Sequence, residues 1–291
     1  MWKLLQIELF KIYRRPRTYI AFAAITAMIV MVQLGLKLDG KEYADFVMAD
    51  LRNNFTIDGK LINGYFVCFV LLQLLLVHVP LLIALIAADM ISGEANIGTL
   101  RFMLTKPISR FEFIAAKFIA STIYTISLLI WLAILALFVS MLVFGTDDML
   151  LLKNTYVVQL QSSDIFWRYV GAFCFAALVM TTVAAIGFFL SLFAENSIGP
   201  IVATMSIIVV FTILSTMSIP LFNKIKPFLF TTHMVAWKEF FDLKVNDNNE
   251  TIKGTIEHPE RIIRSVWVLA AHIVILFSAS VYIFKKKDIL S

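Results

Sequence analysis

Residues 94–110 read E-A-N-I-G-T-L-R-F-M-L-T-K-P-I-S-R, and they lie between two runs, 65–88 and 119–144, that contain no Asp, Glu, Lys or Arg. The stretch carries too much charge to lie in hydrocarbon, and Gly98 and Pro107 would break a spanning helix. It is therefore a connector at one membrane face. Ile97, Leu100, Phe102, Met103 and Leu104 supply apolar contacts for a short amphipathic helix. Pro107 stops that helix, because it lacks the N–H and clashes with the preceding turn. Ser109 and Glu112 form the S-x-x-E pattern of a capping box, which starts a new helix at Ser109. The predicted path is a span, a short cross-helix on the membrane surface, a sharp turn and a new span. A helix with an apolar face and flanking charges fits a groove in another protein. The composition is equally compatible with a connector that hugs the membrane and has no partner.

Four further runs resemble the two that flank the connector: residues 18–36, 169–194, 197–222 and 266–284. Crossing about 30 Å of hydrocarbon takes roughly 17–25 residues in a helix, and all six runs qualify. The 291 residues are 60% hydrophobic and only 15% charged, whereas a soluble domain carries about 25% charged residues. That apolar excess exceeds what one globular core can hide. In hydrocarbon every backbone polar group must pair within its own segment, so the spans are helices. A barrel would need short alternating strands, and none is evident. The fold class is an all-α integral membrane protein with six transmembrane helices, residues 1–291 forming a single membrane domain. Cys68 and Cys174 both fall inside runs, which argues against a disulfide framework. No cleavable signal is evident, so the run at 18–36 is expected to stay as the first span.

Lysine and arginine placement sets the orientation. Lys3, Lys11, Arg14, Arg15 and Arg17 precede the first span. Arg101, Lys106, Arg110 and Lys117 follow the second, and Lys285, Lys286 and Lys287 follow the sixth. The pattern places both termini in the cytoplasm. The long loop at 223–265 also holds basic residues, but long loops count less in this rule. The net charge of +5 fits a basic membrane face and gives no reason to expect nucleic-acid binding. Residues 2–15 place Trp2, Leu5, Leu9, Ile12 and Tyr13 at helical spacing, with Lys3, Glu8, Lys11, Arg14 and Arg15 opposite. Such an amphipathic helix lies in the headgroup plane.

Ion-driven carriers keep ionisable residues near the membrane midplane. Apart from the cysteines, only His78 and His272 are ionisable inside the six runs, and each is expected to be neutral and hydrogen-bonded between helices. Gln33 and Gln73 either pair across helices or face a pathway. Pro80, Pro200 and Pro220 kink or end their helices. Ala176, Ala177, Ala184, Ala185, Gly187 and Ser191 suit close packing of the fourth span. In the fifth loop, residues 227–230 and 235–241 are apolar and aromatic. They either close one side of a path or rest at the outer interface with Trp237 as an anchor. Asn54 and Asn249 open weak glycosylation patterns.

The connector's Glu94, Gly98-Thr99-Leu100-Arg101, Leu104, Pro107, Ser109-Arg110 and Lys117 resemble the signature of ABC-2-type transporter permeases. The turn L-F-A-E-N-S at 192–197, the basic amphipathic N-terminus and the lysine-rich end at 284–289 are similar to that family too. The resemblance covers essentially the whole chain. It implies that the connector is a coupling helix docking on an ATPase through Glu94, Gly98, Thr99, Leu100, Arg101, Leu104, Pro107, Ser109 and Arg110. In that reading Glu94, Arg101 and Arg110 make polar contacts with the ATPase or with the loop's own frame. Gly98 allows close approach, and Pro107 and Ser109 fix the turn. The resemblance further implies short outward-facing helices in the fifth loop. No G-x-x-x-x-G-K-[ST] motif occurs, so nothing in this chain cradles ATP phosphates. The family likeness then implies a separate ABC ATPase subunit in two copies, which binds the ATP and Mg, and a second membrane subunit forming a homodimer or heterodimer. This chain would itself hold no cofactor, metal or catalytic residue. The implied role is the permease of an ATP-driven exporter, multi-pass in a bacterial inner membrane.

Two other classes compete. A non-transporting membrane anchor or sensor that partners an ATPase would share the same loop. An intramembrane enzyme needs H-E-x-x-H or acidic residues inside spans, and the runs hold neither.

Overall fold

A computed structural model of the chain describes residues 1–40, 42, 62–100, 107–152, 157–244 and 252–287. Helix α1 (Trp2–Arg14) leads into α2 (Pro16–Leu38), with Arg15 extended between them. Helix α3 (Gly64–Ala87) ends in a turn to the short α4 (Ser92–Ile97). Helix α5 (Arg110–Phe144) contains a π-helical turn at Ile134–Val139. The hairpin β1 (Met149–Leu152) and β2 (Val157–Leu160) precedes α6 (Ser162–Ser191) and α7 (Ile198–Thr216). Three short 3-10 turns and α8 (Phe230–Met234) then lead to α9 (Pro259–Lys286). Among the described residues, α2, α3, α5, α6, α7 and α9 are long and apolar enough to cross a membrane. They correspond one to one with the six sequence runs.

The ends differ from the apolar runs for physical reasons. A hydropathy run marks where side chains tolerate hydrocarbon, whereas the helix continues until its hydrogen-bond ladder meets a cap. Helix α5 thus starts at Arg110, where the Ser109 side chain accepts a hydrogen bond from the Glu112 N–H at 3.1 Å. Helix α9 starts at Pro259, whose missing N–H costs nothing in a first turn. Helix α7 stops at Thr216, short of residue 222. Pro220 disfavours a helical conformation in the residue before it, and Ile219 is extended. Pro80 stays inside α3, and Pro200 sits in the first turns of α7.

Helix α6 is the central post, packed on α3, α5, α7 and α9. In its most apolar window 56% of residues are buried, against 17% in α7 and 11% in α9, so those two are peripheral. Its small residues Ala184, Ala185 and Ser191 are buried, as close packing requires. Gln33 of α2 resolves to a cross-helix role: its amide donates to the Leu135 carbonyl at 3.0 Å and to the Ser140 hydroxyl at 2.9 Å. It thereby meets a carbonyl within the π turn of α5, where the regular ladder is interrupted. Gln73 instead lies on the exposed side of α3 with Leu74 and Val77. The histidines differ from expectation. His78 and His272 bond to carbonyls of their own helices, Leu74 at 2.9 Å and Val268 at 2.8 Å, because the preceding turn offers the nearest acceptor.

The end of the bundle away from the termini is capped by protein. Arg168, fully buried, bonds Asp164 through Nε (3.1 Å) and Nη2 (2.6 Å). The same guanidinium donates to the main-chain carbonyls of Phe240 (2.6 Å) and Thr255 (2.8 Å). Trp237 is buried against Phe69, with ring centroids 5.2 Å apart, so it packs inside the protein and does not anchor an outer interface. Its ring edge meets Phe241, which also packs on Tyr169. His233 joins this cap to α9: its Nε2–H donates to the Pro227 carbonyl (2.9 Å), leaving Nδ1 to accept from the Ser265 hydroxyl (2.8 Å). The hairpin was not expected from sequence; four-residue strands in antiparallel register, Met149 opposite Leu160, are too short to raise a strand signal beside the long runs. Asn54 and Asn249 lie outside the described residues.

Candidate functional site

The other end of the bundle gathers α1, the α3–α4 turn, the start of α5, the α6–α7 turn and the end of α9. Its centre is a buried ion cluster. Lys117 of α5 and Glu8 of α1 are 1% and 2% exposed in their side chains, with Nζ 2.8 Å from Oε2. Lys117 also reaches Glu94 of α4 at 2.8 Å. Lys11 of α1 pairs with the same two acids, at 2.9 Å from Glu8 and 2.7 Å from Glu94. Two ammonium groups thus balance two carboxylates, the condition under which buried charge is tolerable. Burial alone would raise the Glu94 pKa, but the charges and hydrogen bonds of Lys117 and Lys11 outweigh it and hold the carboxyl below its ordinary value. Burial would lower the Lys11 pKa, but its bonds to Glu8 and Glu94 outweigh that and raise it. The second Glu94 oxygen, Oε2, is buried without a hydrogen-bond partner.

A second acidic centre lies beside it. Asp89, in the α3–α4 turn, is 3% exposed and pairs with Arg15 at 2.6 Å and with Arg17. The Ser197 hydroxyl at the α6–α7 turn donates to the same carboxylate. Gly93 leaves room for it, since a Cβ there would sit 2.5 Å from Asp89 Oδ1. One turn therefore ties to the start of α2 and the start of α7, while Glu94 ties it to α1 and α5.

The connector's predicted residues fall in three places. Glu94 is interior to the ion cluster and Leu100 is buried. Gly98 and Thr99 are exposed, and Ile97 beside them is 66% exposed, so residues 96–99 form a protruding apex. Gly98 caps α4 in the left-handed region at φ 77°, and among the described residues beyond its chain neighbours no atom lies within 4 Å of its Cβ position. Its demand within this chain is conformational, since an L side chain costs roughly 1–2 kcal/mol there. The Thr99 hydroxyl donates to the Glu94 carbonyl at 3.3 Å. A short helix, Ser92–Ile97, precedes the expected one and ends at Gly98; Thr99 and Leu100 are again helical, and the rest of the expected cross-helix lies outside the described residues. Arg101 and Leu104, with Phe102, Met103 and Lys106, lie outside the described residues. Pro107 is exposed, and Ser109 caps α5.

Arg110 points to neither the apex nor the cluster. Its Nη1 donates to the carbonyls of Phe284 (3.0 Å), Lys285 (3.0 Å) and Lys287 (2.8 Å), closing the last turn of α9. Lys287 in turn donates to the Leu192 carbonyl at 2.6 Å. Helix α1 also turns differently from its sequence pattern. Glu8 was expected on the polar side but faces the bundle, while Trp2 (70%) and Phe10 (62%) are outward. The reason is Lys117: a buried cation on α5 draws Glu8, the one acid of α1, inward. Sequence reading missed Glu8, Lys11 and Asp89 as site residues. A faint signal was Lys117 itself, a lysine between Ala116 and Phe118 at the start of an apolar run, which requires a partner.

The family model described as ABC-2 family transporter protein matches residues 2–289. No curated protein matches the chain.

Proposed function

The chain belongs to the ABC-2 transporter family, and on that premise we propose that it is the membrane permease subunit of an ATP-driven exporter, coupled to a separate ATPase through residues 94–110. The observation that carries this reading is the exposed apex at 96–99 standing directly on a buried ion cluster. A force on the apex passes through α4 to Glu94, and from Glu94 to Lys117 on α5 and Lys11 on α1. Ion pairs in a low-dielectric interior are stronger and less screened than solvated ones, so the cluster keeps the three helices coupled. Ile97 and Gly98 would meet the ATPase, with Arg101 and Leu104 continuing the contact. Glu94 and Arg110 belong to the loop's frame and to the α9 end rather than to the contact itself.

The ATPase would be present in two copies, binding ATP and Mg, with a second membrane subunit completing the path. The concentration of basic residues at the end that carries the termini supports a cytoplasmic location for it. Outward Trp2 and Phe10 support a headgroup-level seat for α1. A bacterial inner membrane suits a stand-alone permease of this type.

Two experiments test the reading. A gentle-detergent pull-down of the tagged chain should recover a P-loop ATPase, and altering residues 98–110 should abolish its association. In the reconstituted complex, Gly98→Trp and Arg101→Glu should uncouple ATPase stimulation while membrane levels stay normal. Full stimulation in both variants, or no ATPase under conditions that preserve other membrane complexes, would defeat the proposal and favour an anchor or sensor.

A further inference from the structure

Between the end of α6 and the end of α9 a cleft of about 420 Å³ opens, lined by Leu192, Phe193, Tyr282, Ile283, Lys286 and Lys287. Among the described residues no carboxylate lines it. Lys286 Nζ lies 4.4 Å over the Tyr282 ring and donates to its hydroxyl at 2.5 Å. Lys287 Nζ donates to the Leu192 carbonyl at 2.6 Å. An ammonium has three donors, so each lysine has capacity left after that one bond. The end of a helix normally repels an anion through its free carbonyls. Here Arg110 occupies the carbonyls of Phe284, Lys285 and Lys287, which lessens that repulsion and adds a fixed positive charge nearby.

The order of chemistry along α9 is also informative. The apolar run ends at Phe284, and Lys285, Lys286 and Lys287 follow within one turn, the last two of them in the cleft. Phe193, 60% exposed, continues the apolar wall on the neighbouring turn. An apolar wall that gives way to paired ammonium groups at the membrane surface matches the order of acyl chain and phosphate in a phospholipid. We propose that this cleft binds the headgroup of an anionic phospholipid, its phosphate held by Lys286 and Lys287 and its upper acyl chain against Phe193 and Ile283. The inference rests on the membrane placement of the six helices and is independent of coupling to an ATPase.

Native mass spectrometry of the full chain, released from micelles supplemented with phosphatidylglycerol or phosphatidylcholine, tests it. The anionic lipid should be retained and the zwitterionic one lost. Lys286→Gln should cut retention about fivefold, the factor for one lysine near an anionic surface. Lys286→Gln with Lys287→Gln should cut it further, and Lys285→Gln, outside the cleft, should leave it unchanged. Phe193→Ala should weaken retention with both lysines in place, which separates lipid binding from charge alone. Equal retention of the two lipids, wild-type retention in Lys286→Gln, or displacement by millimolar inorganic phosphate as effective as displacement by lipid would overturn the proposal.

Discussion

At the end that carries the termini, Lys117, Lys11, Glu8 and Glu94 bring side chains of α1, α4 and α5 onto one another. At the far end, Arg168 spends its guanidinium on Asp164 of its own helix and on two main-chain carbonyls. The first arrangement is redundant: each lysine touches both glutamates, so one contact can lengthen while another holds. The second has a single cation fixing the backbone of residues 240 and 255, reinforced by edge-to-face packing of Trp237, Phe241 and Tyr169. A redundant side-chain cluster behaves as a joint, and a cation clamped to backbone behaves as a fastening. The joint lies where an ATPase is proposed to push.

That contrast can be broken most severely at the fastening. Arg168→Met leaves Asp164 and two carbonyls short of partners in a buried setting and should cost about 3–5 kcal/mol, read from denaturant unfolding of the purified chain. Lys117→Met should cost less, roughly 2–3 kcal/mol, because Lys11 still faces both glutamates. A larger loss for Lys117→Met than for Arg168→Met would reverse the assignment of joint and fastening. Stimulation of the proposed ATPase partner should fall in Lys117→Met at temperatures where the variant remains folded.

The next effect in size is a pH dependence belonging to the joint. The Glu94 pKa is held below its ordinary 4.5, so its contribution is present above that value and lost as pH falls through the lowered folded pKa. The Lys11 pKa is raised above its ordinary 10.5, so its contribution is present below that value and lost as pH rises through the raised one. Melting temperature should therefore show a plateau between those limits, and Glu94→Gln should flatten the acid limb. An acid limb unchanged by Glu94→Gln would remove Glu94 from the joint. The smallest effect is expected for Arg17→Gln, whose side chain is 31% exposed: about 0–1 kcal/mol, shrinking further in salt.

Much of this architecture was legible beforehand for a simple reason. Hydrocarbon leaves the backbone only helices or closed barrels, and an unbroken uncharged run of about 20 residues suits only the helix, so it states both that a helix exists and roughly where it lies. Caps such as Ser109–Glu112 and breakers such as Pro220 are also local, since they act within a few residues. The rotation of α1 was not legible, because the partner that turns Glu8 inward is 109 residues away. Arg110 was equally opaque: a basic residue in a loop reads as available, and only the fold brings the last turn of α9 to it.

Six spanning helices, the connector after the second, the cap that opens the third and, through resemblance, the ABC-2 family could all be read from the residues alone. These follow from hydrophobic length, local sterics and motif, which need no knowledge of neighbours. Packing of the helices set which charges are paired, which face of α1 is inward, that Trp237 is interior, and that the apex at 96–99 stands on Glu94, Lys117 and Lys11. Those outcomes depend on desolvation and on Coulomb energy at contact distance, and both are set by residues remote in the chain.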